Sequence, residues 1–136
     1  MAKMNEKIRK MFQGLVTVVL ATADKNGAPN AVPVNAKAAL DDETIVISDQ
    51  FFNKTLANVK ENPQVSVSFW EGMNGYQLKG KAQIVTEGPV YETMAAAVKA
   101  KGEERGIVLR SKGVLVIKID DIFYTTPGPK AGQRVE

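Results

Sequence analysis

The sequence contains neither cysteine nor histidine. Without cysteine there is no disulfide, no thiolate nucleophile and no cysteine-ligated zinc or iron–sulfur centre. Without histidine the commonest metal ligand and general base is missing as well. Redox chemistry in such a chain has to come from a bound organic cofactor, with the protein supplying position and electrostatics. No window approaches the roughly 18–20 apolar residues needed to span a bilayer. The charged start, Met1 to Lys10, is not followed by an apolar core with a cleavage site. The expectation is a soluble cytoplasmic protein. A surplus of one charge sign is also lacking: 18 Lys and Arg face 15 Asp and Glu, a formal charge of +3. That mixed surface favours anions weakly and lacks the clustered basic face of a nucleic-acid binder.

What is present suits one domain over residues 1–136, with 44% hydrophobic residues for its core. Met4, Ile8, Met11, Phe12 and Leu15 recur at spacings of three and four, which predicts a short amphipathic helix stopped by Gly14. From Leu15 the pattern turns β-branched and predicts a buried strand, followed by a hairpin at Asp24 to Gly27. The return strand, Pro29 to Leu40, contains Pro29 and Pro33, so an edge, a bulge or a ligand is expected along it. Asp41 to Glu43 turns into a third strand, Thr44 to Ser48, giving an antiparallel meander.

A helix is expected over Lys54 to Asn62 with Asn53 as N-cap, ended by Asn62-Pro63. Gln64 to Trp70 alternates with period two, as a half-buried strand does. A flexible loop, Glu71 to Gly75, leads to a fifth strand, Tyr76 to Thr86, in which Gly80 marks a bulge or bend. Gly88-Pro89 opens a helix over Val90 to Glu104 with Met94, Ala95, Ala97 and Val98 on its less polar side. A last strand from Gly113 to Tyr124 precedes a surface arm from Pro127. The predicted fold is mainly β, a six-stranded antiparallel Greek-key barrel with short flanking helices.

The segment Thr44 to Asn62 carries the most chemistry. A helix start offers unpaired N–H groups and the positive end of the helix dipole, so Lys54 and Thr55 there can cradle a phosphate. The same residues also suit an ordinary capped surface helix with a solvated lysine.

Ala21 to Val34, then Ile45 to Asp49, then Lys54-Thr55-Leu56-Ala57-Asn58-Val59 with Asn62-Pro63-Gln64-Val65 resemble, in this order, the FMN-binding split-barrel proteins of the pyridoxamine-phosphate-oxidase-like superfamily. The similarity runs from about residue 8 to residue 125 and is greatest to the small single-domain FMN-binding members. It implies a split barrel with one FMN per subunit at a two-fold homodimer interface. The phosphate would lie at Lys54 and Thr55, beside Phe52 and Asn53. Asn53 stands where many relatives place an arginine, which removes one positive charge. The isoalloxazine would lie along Pro33, Val34 and Asn35 together with Ile47, Ser48 and Asp49. Lys37 either approaches the flavin or is solvated. Phe51, Phe52, Trp70, Met73 and Tyr76 are candidates for covering the partner's flavin, since aromatic and Met side chains favour interfaces. Trp70 fits its own strand's core equally well.

The resemblance implies an FMN-dependent oxidoreductase or electron carrier with no catalytic acid or base assigned and no metal. True pyridoxamine-phosphate oxidases use His and extra basic residues, and their C-terminal segment is not recognisable here, so that substrate is not expected. Some branches of the superfamily bind the deazaflavin F420, which stays open as an alternative; haem on a His ligand does not. A non-enzymatic barrel binding a partner or single-stranded nucleic acid is a third reading, and would need basic residues interleaved with aromatics.

Overall fold

The computed structural model describes residues 2–136. Three helices, α1 (Glu6–Gly14), α2 (Lys54–Glu61) and α3 (Pro89–Glu104), flank seven strands: β1 (Val18–Ala23), β2 (Pro29–Val34), β3 (Lys37–Ala39), β4 (Thr44–Asp49), β5 (Gln64–Glu71), β6 (Asn74–Val85) and β7 (Gly113–Tyr124). All pairings are antiparallel, in the order β2-β1-β5-β6-β7-β4-β3.

The seventh strand arises because the expected strand over 29–40 is divided. Residues 29–34 pair with β1, and residues 37–39 pair with β4 at the opposite edge of the sheet. The two edges of the sheet are thus consecutive pieces of one segment, joined through Asn35 and Ala36. The chain itself links the two edges there without a ladder between them, leaving the barrel split, and the expected meander is replaced by two separate pairings. Which edge of the sheet each half meets is set by tertiary packing, so period-two patterning within 29–40 carries no sign of the break.

β4 is buried along its whole length because both of its faces are covered. Ile45 and Ile47 enter the main core, while Val46 packs with Val114 and with Met94 and Val98 of α3. An apolar run such as Ile45-Val46-Ile47 is what a strand covered on both faces requires. The main core is completed by α1, whose Ile8 and Phe12 are fully buried; the Phe12 ring meets Phe69 edge-on at 5.6 Å between centroids. Asn5 caps α1 by accepting a hydrogen bond from the Ile8 N–H.

Two glycines fix the β5–β6–β7 stack. The expected flexible loop is a tight turn between the paired residues Glu71 and Asn74, with Gly72 at φ +61°. Gly80 lies at the register shift between β6 and β7, where a Cβ would meet the Lys118 carbonyl oxygen. The segment after Pro127 folds back along β7, through Tyr124 N–H to the Gln133 carbonyl at 2.9 Å and Val135 N–H to the Ile122 carbonyl at 2.8 Å. Among the described residues no helix is long and apolar enough to cross a membrane.

Candidate functional site

A cleft of about 1020 Å³ opens between β2, the start of α2 and one face of α3. Pro33, Val34, Asn35, Ser48, Phe52, Asn53, Lys54 and Thr55 all line it. β2 is an edge strand, so half of its main-chain polar groups turn away from β1. Asn35 is held at the mouth of the split, where its amide nitrogen, turned toward Thr17, donates to Thr17 Oγ1 at 2.7 Å and to the Val16 carbonyl at 3.2 Å.

Ile47 and Asp49 are placed elsewhere. Ile47 is fully buried in the main core, and its main chain pairs with β3 and β7. Asp49 is 3% exposed. Its carboxylate accepts from the Phe52 N–H at 2.9 Å, with the Lys112 ammonium 3.7 Å away. Asp49 therefore shapes the 50–52 loop from beneath. Ser48 reaches the cleft, yet its hydroxyl donates to Ser111 Oγ at 2.7 Å, which in turn donates to the Gly113 carbonyl.

The start of α2 differs from an ordinary capped helix. Asn53 occupies the N-cap position with no side-chain hydrogen bond to the first turn. The Ala57 N–H is the first to find a helical carbonyl, that of Asn53, at 3.1 Å. A helix start leaves the amides before it without a helical carbonyl, and Asn53, Lys54 and Thr55 line the cleft. Polar bonds fix the position of this helix: Asn30 donates to Thr55 Oγ1 at 3.1 Å, and Asn58 donates to Thr22 Oγ1 at 3.0 Å. Thr22, Asn30 and Asn58 stand in segments that carry the resemblance, but no site role was expected of them. The available signal was a polar residue at an inward-facing strand position, Thr22 between Leu20 and the turn.

Lys37 lines the cleft but its ammonium is turned inward, donating to the Leu15 carbonyl at 2.6 Å over the Phe12 ring. Partial burial holds its pKa below the usual lysine value. Among the suggested covering residues, Phe51 is 82% exposed and lines the cleft with Phe52. Trp70 and Met73 are exposed and lie off the cleft, so Trp70 is not a core residue of its strand. Tyr76 is buried between Phe69 and Tyr124, at 6.1 and 5.8 Å between centroids, and cannot reach a second subunit.

The opposite wall is the part the sequence did not reveal. Met94, Val98, Lys101 and Arg105 recur along one face of α3 and its end, with Leu109 beside them. Lys37, Lys54, Lys101 and Arg105 line the cleft, and no Asp or Glu does among the described residues. In a chain with 15 acidic residues that segregation gives the cleft a lining of one charge sign.

The sequence model of the pyridoxamine 5'-phosphate oxidase family matches residues 4–126. The chain belongs to the pyridoxamine 5'-phosphate oxidase family. It is 35% identical to an uncharacterized protein of Methanocaldococcus jannaschii, over 98% of this chain and 88% of that one. Among solved structures it is similar to HupZ of Group A Streptococcus, with 25% identity, a TM-score of 0.79 and coverage of 95% and 99% of the two chains. It shares its fold with an FMN-binding protein of Syntrophomonas wolfei, with 20% identity, a TM-score of 0.80 and coverage of 91% and 87%. Other members of the fold are named as an F420 reductase and as the haem storage protein HutZ of Vibrio cholerae. Proteins of this fold thus carry names that refer to several ligands.

Proposed function

We propose that this chain binds FMN in the cleft and serves as an FMN-dependent oxidoreductase or electron carrier, working as a homodimer. The observation that carries the reading is an acid-free cleft with a helix start at one end and an edge strand along its side. The phosphate is held by Lys54, by the first-turn amides of α2 and by Thr55, whose position Asn30 fixes. The ring lies along Pro33 to Asn35, whose outward main-chain groups meet its polar edge, with Ser48 and Phe52 nearby. Bound FMN supplies the electron transfer that a chain without cysteine or histidine cannot.

A second copy is supported by the outer face of β1, β2 and β5. Val19, Ala21, Ala31, Pro33, Ser66 and Ser68 leave a surface of small side chains there, and Val16 and Trp70 are exposed beside it. Small and apolar residues suit close packing of two sheets, and an aromatic anchor suits an interface.

The oxidase activity named by the family is not carried over, because this chain has no histidine for the substrate phosphate. Pyridoxamine phosphate is expected to remain unoxidised, and sustained turnover would overturn that expectation. The ligand is tested by titrating cofactor-free protein with FMN and, separately, with F420, following fluorescence. FMN is expected to bind with saturation at one per subunit; F420 binding with FMN excluded would transfer the reading to the deazaflavin.

A further inference from the structure

Nothing in α2 itself holds the turn ahead of it. An N-cap residue normally takes extended backbone angles and bonds the first helical turn through its side chain. Asn53 does neither: its φ is −130° and its ψ −82°, and its side chain makes no cap bond. The turn is held instead from a distant part of the chain. Pairing of Asp49 with Gly113 brings Lys112 to this turn, and the buried Ser48–Ser111 hydrogen bond ties the two segments beside it. The Lys112 N–H donates to the Asp49 carbonyl at 2.7 Å. Its ammonium donates to the Phe52 carbonyl at 3.3 Å and stands 3.7 Å from the Asp49 carboxylate, which accepts from the Phe52 N–H at 2.9 Å. Both backbone polar groups of Phe52 are thereby taken, one by the anion and one by the cation of a single pair.

Two consequences bear on the phosphate end of the cleft. In a planar trans peptide the carbonyl and the following N–H point in opposite directions, and among the described residues no peptide bond is cis. Drawing the Phe52 carbonyl onto Lys112 therefore turns the Asn53 N–H away from Lys112, and that N–H has no acceptor among the described residues. Asn53 lines the cleft, whereas Lys112 lines a smaller neighbouring hollow and not the cleft. The second consequence is electrostatic. Asp49 is buried just ahead of α2, where a carboxylate without a counterion would oppose a bound anion, and the Lys112 ammonium offsets it.

We propose that Lys112 is a positioning residue for the phosphate of the cofactor. It touches no part of the ligand. It fixes the orientation of the Phe52–Asn53 peptide, so that the Asn53 N–H joins the first amides of α2 around the phosphate, and it neutralises Asp49 behind them. The inference rests on the FMN reading and adds to it a residue from the segment between α3 and β7.

The test uses full-length protein freed of cofactor and compares FMN with riboflavin, which carries the same ring and no phosphate. The natural protein is expected to bind FMN about tenfold or more tightly than riboflavin. Lys112→Met keeps most of the stem and loses the charge. Half of this side chain is exposed, which screens the pair, so FMN affinity is expected to fall about fivefold while riboflavin affinity stays within about twofold. Lys112→Arg keeps the cation and is expected to retain the natural preference for FMN. Because the preference compares two ligands on one folded protein, a loss of stability alone does not imitate the result. An unchanged preference for FMN in Lys112→Met overturns the inference and leaves the FMN reading in place. An equal loss in Lys112→Met and Lys112→Arg also overturns it, since the cation would then not be what matters. A natural protein that binds riboflavin as tightly as FMN, or binds neither, removes the phosphate reading and this inference with it.

Discussion

Two helices line the same cleft, and they are attached to the barrel by different balances of polar and apolar contact. α2 is held by directional polar bonds, Asn58 to Thr22 and Asn30 to Thr55, with Asn62 reaching the Asp24 carbonyl at 3.4 Å. α3 is held mainly by apolar contact, Met94 and Val98 against Val46 and Val114, with one hydroxyl, that of Tyr91, donating to the Ser111 carbonyl at 3.0 Å. A hydrogen bond is directional, whereas the attraction between apolar groups is not. The first suits a group that must meet the same phosphate in every binding event. The second suits a wall that accommodates ligands of differing shape.

The sharpest way to break the comparison is to remove the anion site from α2. Lys54→Ala combined with Thr55→Ala is expected to weaken FMN binding by about 3 kcal/mol, roughly 100-fold, because two charge-assisted contacts are lost. Equilibrium dialysis well below the unfolding temperature checks this, and unchanged retention would move the phosphate elsewhere. Next in size, Met94→Ala should lower folding stability by about 2 kcal/mol through lost burial and a residual cavity. Denaturant unfolding measures it. FMN affinity in that variant should change far less than in the α2 variant.

Asn58→Ala sharpens the same contrast from the other side. It should cost about 1 kcal/mol of stability, the worth of one hydrogen bond, and should weaken FMN binding as well because α2 loses its registration. If its stability loss comes with no loss of FMN, polar attachment has no bearing on the phosphate. The smallest effect concerns Lys37. Burial lowers its pKa from 10.5, so the unfolded chain takes up that proton more readily than the folded one. Stability of the natural protein relative to Lys37→Met should therefore improve as pH rises from neutrality toward about 10.5, and fall again as pH is lowered through the depressed folded pKa. Thermal unfolding across that range checks the sign.

The same contrast marks what could be read from the sequence. The helix over 54–61 and its Lys54-Thr55 start are legible because their signals are local: a turn residue, a cap position and a proline stop. Most strands are legible for the same reason, as in the alternation of Gln64 to Trp70. The division of 29–40 is not local, since it depends on which edge of the sheet each half meets. Ile47 and Asp49 are near the site in sequence and off the cleft in space, because β4 is covered on both faces. The α3 wall was hidden by its mixed composition. Lys101 to Arg105 reads as alternating charge along the chain, and only the helical turn separates its cations from Glu103 and Glu104.

The account depends most on which molecule occupies the cleft of the native protein. Protein purified without added cofactor can be denatured, and the released ligand identified by its visible spectrum and its mass. The account predicts a yellow two-band flavin with the mass of FMN, at one per subunit of a dimer. A colourless monomer that also fails to take up added FMN would contradict it.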